Sequence, residues 1–168
     1  MVPDRRNMSL VFASICRRMN DDPAAQAMAL LQAASTASLG TIDRDGGGPI
    51  ASLVLVAADD HGMPILLLSD LAEHSRNIAT DDRVSLLIDG TADHDDPLTG
   101  PRLTLLGRTE RRDHGRLREV YLARHASAAQ YADFGDFSFY GIVVERAHLV
   151  AEFGRIDWIS GADMAAYS

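Results

Sequence analysis

The chain contains no lysine, since all sixteen of its basic residues are arginine. This absence excludes reactions that need a lysine side chain, such as Schiff-base chemistry with pyridoxal phosphate and nucleotide hydrolysis at a P-loop. A bound anion must therefore be held by arginine, histidine, hydroxyl or backbone groups.

Cysteine, long apolar runs and net positive charge are also missing. Cys16 is the only cysteine, so no intramolecular disulfide can form, and a cytoplasmic location is expected. No apolar run reaches the roughly 20 residues of a membrane span. The short run Leu10–Ile15 is followed at once by arginines and does not fit a signal peptide. A net charge of -8 and a pI near 5.1 argue against nucleic acid and anionic membranes as partners.

The 168 residues predict one domain at 22–168, preceded by a flexible N-terminal arm at 1–21. Apolar runs separated by Asp-Gly and His-Gly turns indicate an antiparallel meander. An Asp-Asp-Pro sequence is expected to cap the first helix. The predicted helices are 24–34, 69–77, 113–124 and 126–132, and the predicted strands are 38–43, 50–58, 63–68, 83–89, 101–112, 137–146, 147–153 and 157–159.

Three of these strands are apolar on both faces, which requires that both faces be covered. They are Leu53–Val56, Ile65–Leu68 and Val84–Ile88. The few short helices are not expected to cover everything, so a partner subunit is predicted to cover part. The pattern therefore indicates a barrel-like sheet in a homodimer.

The segment SDLAEHSRN, between two of the apolar strands, has the side chains of a phosphate site. Asp70 is expected as the N-cap of a helix, with Glu73 completing a capping box. Unpaired N–H groups and the helix dipole favour an anion there, and His74 or Arg76 can add charge-assisted hydrogen bonds. The alternative is an ordinary capped surface helix.

The order of these elements, with the segments SDLAEHSRNIATDDRVSLLI, GPRLTLLGRTERR and DFGDFSFYGIVVERAHLVAEFGRIDWI, resembles the FMN-binding split-barrel superfamily. That group includes the pyridoxamine 5′-phosphate oxidase-like proteins. The sequence HSRN is most similar to the bacterial haem-utilisation (HugZ-like) branch, here without that branch's C-terminal domain. The resemblance covers about residues 22–160 and implies a mainly β (α+β) fold: an antiparallel split β-barrel with peripheral helices. It also implies a homodimer with FMN at the subunit interface.

The resemblance further implies which residues contact FMN. The contacts from one subunit are Ser52, Leu53, Val54, Ser69, Leu71, His74, Ser75 and Asn77, with Arg76 a second candidate for the phosphate, and Arg102 or Trp158 reaches the flavin from the partner. Pyridoxamine phosphate oxidases hold the phosphate with an arginine and a lysine. This chain has Ser52 on the strand and no lysine, so that particular activity is not expected.

The leading prediction is an FMN-dependent oxidoreductase acting on an unknown small molecule. Because the flavin carries the chemistry, no catalytic side chain is nominated. The alternatives are a haem-binding or haem-degrading protein and a barrel dimer without a cofactor that acts as a binding module.

Three other groups of residues have two interpretations each. The acidic loop 93–96 lacks the ordered spacing of a calcium loop, so no metal site is predicted. Three histidines are either haem ligands or ordinary surface histidines; they are His114, His125 and His148. Three arginines near the end of one strand indicate either a rim for an anionic substrate or a charged strand end; they are Arg108, Arg111 and Arg112.

Overall fold

The computed structural model describes residues 22–112, 115–152 and 154–167. The predicted N-terminal arm, Cys16 and His114 lie outside these ranges, and the division into arm and domain stays a prediction. The helices are α1 (Pro23–Ala33), α2 (Glu73–Thr80), α3 (Gly115–Arg124) and α4 (Gly161–Ala165), with 3-10 turns at Pro97–Thr99 and Ala126–Gln130. The strands are β1 (Thr36–Ile42), β2 (Pro49–Leu55), β3 (Ala57–Ala58), β4 (Pro64–Ser69), β5 (Arg83–Asp89), β6 (Arg102–Arg112), β7 (Phe137–Glu152) and β8 (Arg155–Ser160).

The described strands form one antiparallel sheet in the order β2-β1-β5-β6-β7-β4-β3, which curls into a half-barrel. The long strand β7 pairs with β6 on one edge. On its other edge it pairs first with β4 and then with β8. The sequence prediction of a mainly β, antiparallel split barrel with peripheral helices is confirmed.

The prediction of two paired strands at 137–146 and 147–153 is wrong, because residues 137–152 form the single strand β7. The sequence around the expected turn contains no glycine or proline, and β6 offers a continuous partner. The register of β6 against β7 shifts at Gly107. A Cβ atom at Gly107 would collide with the carbonyl oxygen of Val143, so this close approach requires glycine.

Two apolar clusters stabilise the half-barrel. The larger one packs α1 and α4 against the inner face of the sheet. Helix α1 begins as predicted, with the Asp22 carboxylate accepting from the Ala24 N–H at 2.9 Å. The smaller cluster joins α3 and the following 3-10 turn to β4, around Ile65, Tyr121 and Phe139. Strand β4 is therefore covered on both faces, as its apolar sequence predicted.

The outer face of the sheet is less covered. Six directly paired residues form one row across it, which we call the outer row: Leu53, Ser38, Leu87, Thr104, His148 and Trp158. Leu53 is 78% exposed and Trp158 is 59% exposed. None of the helices within the described ranges is long and apolar enough to cross a membrane.

Candidate functional site

A cavity of about 300 Å³ lies where β2 and β4 approach each other, and we call it the seam pocket. It brings together four of the predicted site residues, Leu53, Val54, Ser69 and His74. Its walls are completed by two groups of residues: Leu55, Leu67, Leu68 and Ala72, and the aromatic residues Tyr121, Tyr131 and Phe137. The pocket is therefore mainly apolar with a few polar groups, as small-molecule sites usually are.

The backbone of β2 contributes polar groups to this pocket. The N–H of Val56 donates to the carbonyl of Ser35 at 3.1 Å, which fixes the side of β2 on which hydrogen bonds to β1 form. Backbone groups alternate between the two edges of an antiparallel strand. The N–H and C=O groups of Leu53 and Leu55 therefore point away from β1. Within the described residues no strand pairs with that edge, so these groups are available to a ligand.

Helix α2 begins beside the same pocket, with Ala72 at its N-cap and no side chain capping its N-terminus. The prediction that Asp70 is the N-cap is therefore wrong. The N–H of Asp70 instead donates to the carbonyl of Asp136 at 2.6 Å, which holds Asp70 in the turn before the helix. Because Ala72 lines the pocket, the uncapped N–H groups of the first turn and the positive end of the helix dipole lie at its wall.

Ser69 and Leu71 belong to the turn before the helix. The Ser69 hydroxyl donates to the Asp136 carboxylate at 2.9 Å and accepts from the Leu71 N–H at 3.2 Å. The Leu71 side chain is 71% exposed. Ser69 thus shapes the pocket wall, whereas Leu71 faces solvent.

His74 is half-buried on the first turn of α2 and lines the pocket. Burial lowers the pKa of its imidazole below the ordinary value of 6.5, because a desolvated ring resists protonation. Near pH 7 His74 is therefore neutral and offers hydrogen bonds rather than a fixed charge. Arg76 does not line the pocket, and its guanidinium lies 3.6 Å from the Glu73 carboxylate.

Asn77 and Ser75 are buried on α2. The Asn77 side chain accepts from the Arg44 N–H at 3.1 Å and donates to the Thr41 hydroxyl at 3.0 Å. Both ends of its amide are thus engaged in fixing α2 to the β1–β2 hairpin. The Ser75 hydroxyl has no hydrogen-bond partner in the described part of the protein.

The remaining predicted residues lie elsewhere. Ser52 is half-buried on β2. The Arg102 guanidinium holds the 3-10 turn at Pro97–Thr99, donating to the carbonyl of Leu98 at 2.8 Å, and lines a neighbouring cavity of about 360 Å³ together with Leu53. Trp158 lies on β8, at the far end of the outer row from Leu53, and is not among the residues that line the seam pocket of its own chain.

The aromatic residues of the seam pocket, which we call the aromatic wall, were not predicted as part of the site. They are Tyr121, Tyr131 and Phe137. Tyr121 is buried on α3, and burial raises its pKa. Its place in the pocket follows from the packing of α3 on β4, which no local sequence signal reports. Tyr131 stacks on Phe137 with ring centroids 5.0 Å apart, across the turn that leads into β7.

Of the histidines proposed as haem ligands, the two that the structure describes, His125 and His148, do not converge. The Nε2 atom of His125 lies 2.9 Å from the carbonyl oxygen of Val56, and its ring packs on Tyr121. His148 stacks on Trp158 on the outer face, with centroids 4.6 Å apart. No group of side chains in the described ranges could hold a metal ion by itself.

Known proteins resemble this chain in sequence or in fold. A chloroplast protein named non-canonical heme oxygenase HOZ, from Arabidopsis thaliana, is 41% identical over 96 residues, which is 55% of this chain and 29% of the plant protein. A heme binding protein from Mycobacterium smegmatis is 35% identical with a TM-score of 0.81, over 86% of this chain and 60% of that one. A protein of the pyridoxinephosphate oxidase family from Clostridium acetobutylicum shares the fold, with a TM-score of 0.63 at 12% identity, over 84% and 96% of the two chains.

This chain thus spans only part of its plant and mycobacterial relatives. The sequence model of the family described as CREG, beta-barrel matches residues 18–168. That match covers nearly the whole half-barrel and its helices. The chain therefore belongs to the CREG β-barrel family, within the FMN-binding split-barrel group.

Proposed function

We propose that the chain binds FMN in the seam pocket and acts as a flavin-dependent oxidoreductase on a small molecule. One observation carries the proposal: the uncapped N-terminus of α2 and the free edge of β2 meet in a single pocket. A helix N-terminus suits a phosphate. A free strand edge suits the polar rim of a flat heterocycle.

The residues of the seam pocket fit FMN, although no arginine or lysine side chain there would bind its phosphate. The phosphate would accept hydrogen bonds from the first-turn N–H groups of α2 and from the neutral imidazole of His74. Ser75, although buried on the same helix without a hydrogen-bond partner among the described residues, does not line the pocket. The flavin ring would lie against the backbone of Leu53 and Leu55, and the aromatic wall would shield it. A bound flavin would supply the electron transfer, while the protein positions the ring and excludes water.

We also propose that a second copy of the chain completes the site. Leu53 lines the pocket yet is 78% exposed, so the pocket is open on the outer face of the sheet. The outer row presents Leu87 and Trp158 on the same face. Trp158 does not line the seam pocket of its own chain, so its predicted flavin contact would come from the partner subunit. A two-fold interface over this face would supply that contact.

The proposal is tested by adding FMN to the purified protein, removing free flavin by gel filtration and recording the visible spectrum. The expected result is a flavin spectrum that elutes with a dimer. His74→Ala should weaken FMN binding about tenfold, the loss of roughly one charge-assisted hydrogen bond. His61→Ala, an exposed turn histidine, is the matched control and should bind normally. A protein that retains no flavin would refute the proposal.

Haem binding is the second candidate, and the names of the plant and mycobacterial relatives favour it at least as strongly. The seam pocket places one half-buried, neutral histidine in apolar surroundings, which suits an axial haem ligand. Titration with haem should then give a Soret band that is changed in His74→Ala and unchanged in His61→Ala. A protein that binds neither flavin nor haem would support the third interpretation, a barrel dimer without a cofactor.

A further inference from the structure

A second cavity, of about 450 Å³, lies at the end of β6 and shares only Phe137 with the seam pocket. We call it the arginine pocket. Its lining includes Arg111 and Arg112 from β6, Asp133 and Phe134 from the turn before β7, and Ser138. Two guanidinium groups and an aromatic ring thus face a cavity that the proposed function does not use.

Each charged side chain of this pocket has a neighbour of opposite charge, but the hydrogen bonds between them are unequal. The Asp133 carboxylate accepts two hydrogen bonds from Arg118, at 3.1 and 2.9 Å, and Arg112 donates to Glu110 at 2.5 Å. Arg111 lies 4.0 Å from the nearest carboxylate, that of Asp70, which is beyond hydrogen-bond distance. Its guanidinium makes no side-chain hydrogen bond to the part of the chain that the structure describes, so one positive charge keeps its donors available.

Arg108 shows the contrasting arrangement on the same strand. Its guanidinium donates to Asp82 at 2.5 Å and to Glu145 at 3.2 Å. The two interpretations of the arginine cluster therefore apply to different residues. Arg108 belongs to a charged surface of paired side chains, whereas Arg111 has the free donors of an anion-binding rim.

The apolar side of the pocket is formed by Phe134 and Phe137. Phe134 is 57% exposed, although its ring meets that of Phe137 edge to face with centroids 6.4 Å apart. An exposed ring held in place by a second ring provides a flat surface for stacking. An arginine with free donors beside it recognises a carboxylate or phosphate through paired hydrogen bonds.

We propose that the arginine pocket binds an aromatic carboxylate, with the carboxylate on Arg111 and the ring on Phe134. The Asp70 carboxylate already lies 4.0 Å from the Arg111 guanidinium, so a singly charged ligand is favoured over a more highly charged one. A phosphate monoester carries between −1.5 and −2 charges at pH 7, roughly as phosphoserine does, and would bring a surplus negative charge close to Asp133. This site is separate from the flavin site and does not depend on flavin binding.

The test measures binding of 2-naphthoate to the full chain without flavin, by isothermal titration calorimetry. Three probes separate the chemistry: 2-naphthoate, 2-naphthyl phosphate and the neutral 2-naphthalenemethanol. The carboxylate should bind more tightly than the phosphate, and the alcohol should bind much more weakly than either. Equal binding of acid and alcohol would refute a role for charge.

Variants then place the site. Arg111→Gln should weaken naphthoate binding at least tenfold, and Phe134→Ala should weaken it severalfold. Arg116→Gln is the matched control, because Arg116 is an exposed arginine paired with Asp60 outside the pocket. His74→Ala should leave naphthoate binding unchanged. Normal naphthoate binding by Arg111→Gln would overturn the proposal. Loss of naphthoate binding in His74→Ala would also overturn it, because that result would place naphthoate in the seam pocket. Thermal melts of each variant establish that it is folded.

Discussion

Replacing Ala72 by aspartate should make the protein more stable and a poorer FMN binder at the same time. Ala72 is the N-cap of α2, has extended backbone angles (φ -75, ψ 146) and makes no capping hydrogen bond. An aspartate at such a position accepts from N–H groups of the first turn and typically adds about 1 kcal/mol of stability over alanine. The unfolding temperature should therefore rise by a few degrees.

The same carboxylate would occupy the proposed phosphate position. Two unit charges about 5 Å apart repel by roughly 3 kcal/mol at an effective dielectric constant of about 20. Solvent exposure at the pocket mouth reduces this, and the competition for N–H donors adds to it, so a loss of about 2 kcal/mol is expected. That corresponds to FMN binding weakened about thirtyfold.

The assay compares FMN with riboflavin, which lacks the phosphate, by fluorescence titration of both ligands. Wild type should prefer FMN, while Ala72→Asp should lose that preference and keep its affinity for riboflavin. Ala72→Ser is the matched control, since a serine caps the helix without adding charge. If Ala72→Asp is stabilised and still prefers FMN as strongly as wild type, the phosphate does not lie at α2 and the assignment of this helix is refuted.

Three further predictions concern the framework of the site. Because His74 has a lowered pKa in the folded protein, the unfolded state binds more protons below about pH 6.5. The free energy of unfolding should therefore decrease on acidification through that value. Urea unfolding at about pH 7.5 and about pH 5.5 should show a smaller decrease in His74→Gln than in wild type. Asn77→Ala should destabilise the fold by about 2–3 kcal/mol, because it removes two buried hydrogen bonds and leaves their protein partners unpaired; a denaturation midpoint equal to that of wild type would contradict this role. Gly107→Ala should lower the free energy of unfolding by about 3 kcal/mol or more, because the alanine methyl group would meet the Val143 carbonyl and the β6–β7 register would have to shift. A decrease below about 1 kcal/mol would show that this register is not constrained by glycine.

The sequence predicted those parts of the fold that depend on neighbouring residues. The Asp22-Pro23 start of α1, the β1–β2 hairpin and the two-sided burial of β4 all follow from local caps, turns and apolar runs. The predicted strand 50–58 is instead divided at Val56 into β2, which pairs with β1, and β3, which pairs with β4. The start of α2 was predicted wrongly because a distant contact decides it. The Asp70 N–H donates to the carbonyl of Asp136, far along the chain, which holds Asp70 in the turn, and the helix begins after Ala72. No pattern within the segment SDLAEHSRN reports that contact.

The candidate site likewise contains residues that the sequence named and residues that it did not. Four residues named from the resemblance, Leu53, Val54, Ser69 and His74, do line one pocket. The aromatic wall was not assigned from the sequence as part of this pocket, because it arises from the packing of α3 and of the turn before β7. Asn77 was expected to contact the cofactor, and its amide is instead engaged within the protein.

Flavin and haem make different demands on His74, and this difference separates the two candidate functions. Both ligands are anionic, since FMN carries a phosphate and haem carries propionates, so the N-terminus of α2 attracts either one. For FMN, His74 is one hydrogen-bond donor among several, and its removal weakens binding without abolishing it. For haem, a ligating imidazole is required for the spectrum itself. His74→Gln, which retains a hydrogen-bond donor and cannot replace imidazole as a haem ligand, should therefore bind FMN nearly as well as wild type, whereas it should lose a histidine-ligated Soret band completely.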